Sequence, residues 1–217
     1  MTLDYKIRKY ESRDRDAVRS ICADTGFLGN PINPIFSDRE LFADMIIDYY
    51  LRKEPEHTSV AEMGGQVIGY VTGSMYQFTH LGLALDGVGP IVQAVSRQLT
   101  GKYREHPQNK GFIKWLFLCA PLEMVNHPER SAHYHFNLQE GYRGIGLGTE
   151  MLSQFEEEVK RTGLSRVYGE VFAHPQKPLD YFRDAGWEIY DKKPTTLFRD
   201  LVEEEVFLAC ITRKIKS

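Results

Sequence analysis

Cysteine is scarce in this sequence. Among 217 residues there are three, Cys22, Cys119 and Cys210, and they are odd in number and far apart. Their positions match no metal-binding spacing and give no basis for a disulfide framework. We therefore expect buried free thiols in a reducing compartment.

Long apolar runs and an excess of positive charge are also missing. No segment has the roughly 20 consecutive apolar residues that cross a membrane, and the charged stretch from Met1 to Asp16 is unlike a signal peptide. The net charge of −3 provides no basic surface of the kind that binds nucleic acid. We therefore expect a cytoplasmic protein with neither a membrane nor a nucleic acid among its partners.

The composition is that of an ordinary folded domain. Apolar residues make up 42% of the chain, and no segment is repetitive or low in complexity. A length of 217 residues suits one large domain, or a smaller domain that carries an insertion. We predict that residues 1–217 form a single domain.

The most informative stretch reads as a strand, a glycine-rich turn and a helix in immediate succession. Polar and apolar residues alternate over Ala132–Leu138 with the two-residue period of a strand, and glycines then crowd Gly141–Gly148. Gly163, just after two basic residues, is typical of a helix end. The apolar residues at helical spacing are Ile145, Met151 or Leu152, Phe155 and Val159.

The glycines at the start of this helix predict an anion-binding loop. The first four backbone N–H groups of a helix have no partner within it, and the helix dipole adds roughly half a positive charge there. The loop is not a Walker loop, because Thr149-Glu150 follows its last glycine. Its spacing also differs from the dinucleotide fingerprint. The alternative is that the glycines serve only a tight turn.

The rest of the chain gives a consistent order of elements. Before the central stretch we predict a strand, two helices and a hairpin with a Gly64-Gly65 turn; after it we predict a strand, a short helix and two strands. The second helix begins with a capping box formed by Ser37 and Glu40. The predicted bounds are Tyr5–Lys9, Arg13–Ala23, Ser37–Tyr49, Thr58–Met63, Gln66–Ser74, Val167–Phe172, Leu179–Ala185, a strand from Trp187 and Glu205–Thr212.

The loop Arg143-Gly144-Ile145-Gly146-Leu147-Gly148 resembles the Arg/Gln-x-x-Gly-x-Gly/Ala motif of the GCN5-related N-acetyltransferases, the GNAT superfamily. The order of elements is similar to that of a GNAT domain as well. This resemblance implies an α/β (α+β) fold, with a mixed, mainly antiparallel sheet of about seven strands flanked by helices. The long insertion and the charged approach to the C-terminus also resemble, more distantly, the acetyltransferase-like domains of the O-GlcNAcase type.

The resemblance implies acetyl-coenzyme A (acetyl-CoA) as the cofactor. In the family, the glycine loop grips the pyrophosphate, and the strand before it splays from its neighbour so that backbone N–H groups bind the pantetheine arm and the thioester. The cofactor-binding residues implied here are Phe136, Asn137, Leu138, Arg143, Gly144, Ile145, Gly146, Leu147, Gly148 and Thr149. No metal is implied.

The segment 76–130 departs from a minimal domain of this family. It inserts about 55 residues between the third and fourth strands, with a helical pattern at Pro90–Leu99 and a second apolar run at Phe112–Leu118, which reads as a helix or a strand. Long insertions are commonly functional. We expect this one to form a lid that shapes the acceptor side of the site. The alternatives are a homodimer interface or an extra structural cap.

Two candidates for proton transfer follow from the strands. Glu170 lies between Tyr168 and Phe172 on one strand face, where we expect a raised pKa and a role as base; the alternative is a structural pair with Arg166 or another cation. His135 shares a face with His133 and Asn137, and either imidazole is a natural base. The alternatives for the histidine pair are a metal site, for which no third ligand is evident, or a structural role.

The acid for the leaving group is the least clear assignment. The family often has a tyrosine four residues before a Gly-Phe pair, and Phe182 stands there before Gly186-Trp187. Tyr181 serves instead if the register shifts by one residue. We predict an N-acetyltransferase that transfers an acetyl group from acetyl-CoA to a primary amine. The alternatives are a CoA-binding module without catalysis and a structural domain with a decayed site.

Overall fold

The computed structural model describes residues 4–75 and 79–215. Within them seven strands form one sheet in the order β1-β2-β3-β4-β5-β7-β6. Among the strands of the described residues only β4 and β5 pair in parallel, so the predicted mixed, mainly antiparallel sheet is confirmed. The strands are β1 (Tyr5–Lys9), β2 (Ser59–Met63), β3 (Gln66–Ser74), β4 (Ser131–Leu138), β5 (Arg166–Ala173), β6 (Glu188–Thr195) and β7 (Val206–Lys214).

Helices cover both faces of the sheet. On one face the buried side of a single long helix, α7, packs against β3, β4 and β5. The opposite face is covered by α1 to α5, which share a second apolar core with Tyr70 of β3. The helices are α1 (Arg15–Asp24), α2 (Arg39–Ile46), α3 (Asp48–Lys53), α4 (Thr79–Leu99), α5 (Gln108–Leu118), α6 (Ala120–Glu123), α7 (Leu147–Arg161) and α8 (Leu179–Asp184). Short 3₁₀ turns lie at Ser12–Asp14, Pro55–His57 and Glu140–Tyr142.

The capping box predicted from Ser37 and Glu40 does not form, and α2 begins with a single N-cap hydrogen bond one residue later. The N-cap of α2 is Asp38, whose carboxylate accepts a hydrogen bond from the Leu41 N–H. Ser37 is engaged elsewhere, because its backbone N–H and its hydroxyl both bond to the side chain of Asn109 in α5. The predicted second helix is also divided at Ile47 into α2 and α3.

The start of α7 also differs from the sequence prediction. The apolar pattern places Ile145 on the buried stripe, but the helix begins at Leu147 and Ile145 is 41% exposed. Gly146 adopts a left-handed conformation with φ 87°, which ends the preceding loop and excludes Ile145 from the helix. The rest of the stripe is confirmed, with Met151 rather than Leu152 at the fully buried position.

The inserted segment contains α4, α5 and α6. Its first residues, 76–78, lie outside the described range. Helix α4 packs against α2 and α3, on the sheet face opposite α7. Farther along, the Glu123 carboxylate accepts hydrogen bonds from Trp115 Nε1, Thr195 and Thr196, which attaches the segment to the end of β6. The run Phe112–Leu118, left open from the sequence, is helical.

Candidate functional site

The gap between β4 and β5 is the most distinctive feature of the sheet. The two strands form only three residue pairs, the last of which joins His133 and Tyr168. Each strand continues for five residues beyond this pair, to Leu138 and Ala173, and no further pair joins them within the described part of the chain. An opening therefore separates their carboxyl-terminal halves.

Backbone hydrogen bonding decides which β4 groups face this opening. The Gln139 N–H donates to the Ile68 carbonyl at 3.0 Å, and the direction of bonding alternates along an antiparallel pair. The backbone groups of Asn137 therefore face β3, whereas those of Phe136 and Leu138 face the opening. This alternation corrects the sequence-based expectation that the backbone N–H groups of all three residues are available.

The glycine loop leads from the opening to α7. A side-chain carbon placed on Gly146 would meet nothing within 4 Å, so the space in front of the helix is open. At Gly148 the same carbon would lie 2.8 Å from the Phe136 ring, so a side chain there would push the helix away from β4. The N–H groups at the start of α7 therefore face open space beside the opening, where an anionic group could accept hydrogen bonds from them.

Arg143 holds the loop in place through its side chain. Its Nε donates to the Leu138 carbonyl at 3.1 Å, and its Nη2 donates to the Gly29 carbonyl at 2.8 Å. Gly29 belongs to the loop between α1 and α2, so Arg143 connects two loops that are 114 positions apart in sequence. The guanidinium supports the anion loop by fixing its shape and by its positive charge.

A row of polar side chains lies on the sheet face opposite α7. The Tyr50 hydroxyl and His133 Nδ1 are 2.6 Å apart. The other ring nitrogen of His133, Nε2, lies 3.7 Å from Oε2 of Glu170. The Glu170 Oε1 in turn lies 2.6 Å from Nε2 of His127, and the Tyr168 ring contacts both imidazoles. Glu170 lies on β5 just past the last β4–β5 pair, so the row reaches the opening.

The environment of Glu170 differs from the one expected. Burial by itself would raise the pKa of the carboxyl, but hydrogen bonds to His127 and His133 outweigh this effect and hold the pKa below its ordinary value of 4.5. The expectation of a raised pKa is therefore wrong, and Glu170 is ionised at neutral pH. Of the alternative partners, Arg166 is excluded, since it bonds to Glu188 at 3.0 Å; the basic side chains next to Glu170 are those of His127 and His133.

His135 lies on the same face, closer to the glycine loop. Its Nδ1 is 3.1 Å from the Tyr70 hydroxyl, which also accepts a hydrogen bond from Nδ2 of Asn137 at 3.0 Å. Burial, reinforced by the charge of His133, lowers the pKa of His135 to about 4. At neutral pH this imidazole is neutral, and it is a weak base.

The two aromatic residues of α8 have different environments. Phe182 is buried, whereas Tyr181 is 55% exposed and its ring packs edge-on against Phe182. The Nζ of Lys177 lies 5.2 Å from the centroid of each ring. Although Lys177 is exposed as a whole, desolvation of its amine and the charge of Arg143 lower its pKa. The Tyr181 phenol on α8 is therefore accessible to solvent.

Sequence reasoning missed three residues of the site: Tyr50, His127 and Lys177. Tyr50 and His127 reach their partners across 83 and 43 positions of sequence, and no local pattern marks them. Lys177 has a weak signal in the sequence, because it directly precedes Pro178, the N-cap residue of α8. Within the described residues, no group of three or more His, Cys, Asp or Glu side chains is arranged to hold a metal ion.

Two further findings concern the whole chain. In the part that the structure describes, no helix combines the length and the apolar character needed to cross a membrane. All three cysteines are free; Cys22 and Cys210 are buried as expected, whereas Cys119 is only partly buried.

Comparison with known proteins links these features to one family. The model of the acetyltransferase (GNAT) family matches residues 28–187. The uncharacterized N-acetyltransferase YycN of Bacillus subtilis (strain 168) is 30% identical over 83 residues, which are 38% of this chain and 51% of YycN. A second protein of that organism, the uncharacterized N-acetyltransferase YdgE, is 35% identical over 75 residues, or 34% of this chain and 45% of YdgE. The chain thus spans about half the length of the curated relatives it matches.

Solved structures extend the similarity over nearly the whole fold. The structure of SsHAT has a TM-score of 0.62 at 18% identity, with 98% of this chain and 99% of SsHAT covered. YncA of Salmonella typhimurium, solved with its cofactor acetyl-CoA, has a TM-score of 0.55 at 13% identity, with 98% and 95% covered. At these identities the likeness concerns the fold alone.

Proposed function

Because the chain belongs to the acetyltransferase (GNAT) family, we propose that it transfers an acetyl group from acetyl-CoA to a primary amine of an acceptor molecule. The observation that carries this proposal is the opening between β4 and β5, directly beside an open glycine loop at the start of α7. The opening offers backbone groups to an extended ligand, and the loop offers N–H groups to its phosphates.

Acetyl-CoA would be held by two sets of residues. The N–H groups around Gly146 and Gly148 bind the pyrophosphate. The backbone groups of Phe136 and the N–H of Leu138, which face the opening, bind the pantetheine arm, whereas the Leu138 carbonyl is bonded to Arg143. The acetyl thioester supplies the group to be transferred. Lys177 and Arg143 add positive charge on the same side as the loop. The proposed cofactor-binding residues are thus Phe136, Leu138, Arg143 and the loop from Gly144 to Thr149. Asn137 is not among them, because its backbone faces β3 and its side chain bonds to the Tyr70 hydroxyl.

We assign proton transfer from the amine to the row of polar side chains on the sheet face opposite α7. The amine must lose a proton to become a nucleophile. Glu170 stays ionised beside His133, so we assign Glu170 to orient the amine and His133, and to stabilise the imidazolium that forms when His133 accepts the proton. His135 is the second candidate for the acceptor of the proton, weakened by its low pKa.

The leaving thiolate requires a proton, and Tyr181 is the residue proposed to supply it. Its phenol is accessible on α8, whereas Phe182 occupies the buried position next to it. The inserted segment is proposed to form the acceptor side of the site, because its last residues bring His127 onto Glu170. The dispersed free cysteines support a cytoplasmic setting, and a homodimer remains an alternative role for the insertion.

A second candidate function is that of a CoA-binding module without catalysis. Phe182, which has no proton to give, stands buried at the position where the family often has its acid. In this candidate function the glycine loop still binds CoA, but no acetyl group is transferred. It predicts CoA binding with no release of free thiol in the presence of any amine.

Two measurements test the proposal. Calorimetric titration with acetyl-CoA tests the cofactor site, and micromolar binding is the expected result. Release of free CoA thiol, followed across a panel of primary amines, then separates the enzyme from the binding module. Absence of acetyl-CoA binding would overturn both functions.

A further inference from the structure

Large apolar side chains that solvent reaches are concentrated in the inserted segment. The segment 76–130 makes up about a quarter of the chain, yet it holds eight of the twelve large apolar residues that the described part of the chain exposes. Four of the eight lie on α4, namely Leu85, Val88, Val92 and Leu99. The other four lie in or beside α5 and α6: Phe117, Leu118, Leu122 and Met124. Exposed apolar patches of this kind commonly mark an interaction surface.

The four residues of α4 form one stripe along the helix. At about 100° per residue, they fall within an arc of roughly 60°. Leu85 is 66% exposed, and Leu99, at the other end of the stripe, is 82% exposed. Ala94 lies on the opposite side of the helix and is buried. Helix α4 therefore packs on the domain through one side and presents the apolar stripe to solvent on the other.

The stripe is uncharged, because the charges of α4 are engaged within the domain. The sequence of α4 carries two formal charges, Asp86 and Arg97. Asp86 pairs with Arg52 of α3, and Arg97 pairs with Asp38, the N-cap of α2. A helix that lies on a membrane surface is typically rich in Lys and Arg on its polar face. With its one Arg already paired, α4 instead suits an uncharged protein surface.

The side chains along the stripe are arranged almost symmetrically about Val92. Leu85 lies seven residues before Val92, and Leu99 lies seven residues after it. Val88 lies four residues before it, and the small, exposed Ser96 lies four residues after it. In a two-fold symmetric interface, contacts are reciprocal, so each surface must be complementary to itself. A two-fold axis at Val92 meets this condition, because two antiparallel helices then place Leu85 of one protomer against Leu99 of its partner.

The geometry of the stripe permits this pairing, and its size sets the expected strength. Spacings of three and four residues favour a shallow helix crossing of about 20°. A side-chain carbon on Gly89 would meet nothing within 4 Å, so a second backbone can approach closely there. The stripe is about 21 Å long and one helix wide, and thus covers roughly 200 Å², whereas a stable interface buries about 800 Å² per partner. We therefore expect a reversible dimer with a micromolar dissociation constant.

We propose that this stripe is the contact surface of a two-fold symmetric homodimer, in which α4 of one protomer packs antiparallel against α4 of its partner with Val92 at the axis. Burial of the four apolar side chains of each protomer drives the association. The inference does not depend on the proposed acetyl transfer, because no residue of the stripe belongs to the candidate site. The inserted segment then has two roles, since its last residues bring His127 onto Glu170.

Sedimentation equilibrium of the full-length protein, between about 1 and about 500 µM, tests the proposal. The wild type should shift reversibly from the monomer mass to twice that mass. Leu85→Lys and Leu99→Glu should each weaken the dimer by about 100-fold or more, because each buries an unpaired charge against a leucine. The double variant should dimerise again, because the two new charges meet across the axis. Leu201→Lys, at an exposed leucine outside the insertion, should dimerise like the wild type.

A wild type that stays monomeric over this range would overturn the proposal, and its cosedimentation with phosphatidylserine vesicles would then assign the stripe to a membrane surface. Failure of the double variant to dimerise would overturn the antiparallel pairing. A second measurement does not depend on new charges: under oxidising conditions Val92→Cys should form a disulfide-linked dimer. Gln93→Cys, exposed but rotated away from the axis, should form far less of it, and equal yields from the two variants would contradict the position of the axis.

Discussion

Replacement of Gly146 by Asp tests the anion loop most directly. In the structure a side chain at this position projects into the open space in front of α7, where the pyrophosphate is proposed to bind. An aspartate at the N-terminus of a helix is favourable to its dipole, but at φ 87° it strains the backbone. A control with the same strain is therefore needed to separate the effect of the charge from that of the backbone.

The expected magnitude follows from Coulomb repulsion. Two unit negative charges about 4 Å apart repel each other by about 1 kcal/mol in water and about 4 kcal/mol at an effective dielectric constant of 20. These values correspond to affinities weakened by about 5-fold to about 1,000-fold. Because the loop lies at the protein surface, its surroundings are intermediate between water and the protein interior. We therefore expect a loss of acetyl-CoA affinity between these limits.

The assay is calorimetric titration with acetyl-CoA, and the chain supplies a matched control. Gly163 has φ 78° and open space around it, like Gly146, but lies at the other end of α7, about 25 Å away. Gly163→Asp therefore introduces the same side chain with the same backbone strain away from the site, and should leave the affinity unchanged. Gly146→Asn should weaken binding less than Gly146→Asp, because it adds the bulk without the charge. Equal affinities of Gly146→Asp and wild type would refute the assignment of the loop.

Three further substitutions test the chemistry and the electrostatics. Glu170→Gln should lower kcat by about 100-fold or more, because it removes the carboxylate that orients His133 and stabilises its imidazolium, and general-base catalysis contributes on that scale. It should also alter the pH dependence of kcat/KM, and an unchanged profile would exclude Glu170 from supporting the base. Tyr181→Phe should lower kcat by about tenfold or more with little change in acetyl-CoA affinity, and an unchanged kcat would remove Tyr181 as the acid. The low pKa of His135 means that the unfolded chain takes up a proton below its ordinary pKa of 6.5, whereas the folded chain does so only near 4. The free energy of unfolding should therefore fall as the pH is lowered from 6.5 to 4, by up to about 3 kcal/mol from this group. Denaturation of His135→Gln at several pH values should show a shallower fall, and an identical fall would contradict the burial of this imidazole.

The parts of the fold that local chemistry specifies could be predicted from the sequence. The Gly64-Gly65 hairpin, the strand at Ala132–Leu138 and the helix that ends before Gly163 all appear where periodicity and turn residues place them. Their signals are local, because a strand or an amphipathic helix repeats its pattern within a few residues. The limits of this reasoning appear at Ser37, whose capping role is lost to a side chain 72 positions away.

The sequence by itself determined the family, the order of elements and the loop that faces the proposed cofactor. Only the tertiary structure decided the chemistry around Glu170. Burial alone predicts a raised pKa there, but the insertion brings His127 to the carboxylate and β4 brings His133, which reverses the shift. A charge is stabilised by whatever surrounds it in space, and here those neighbours come from distant parts of the chain.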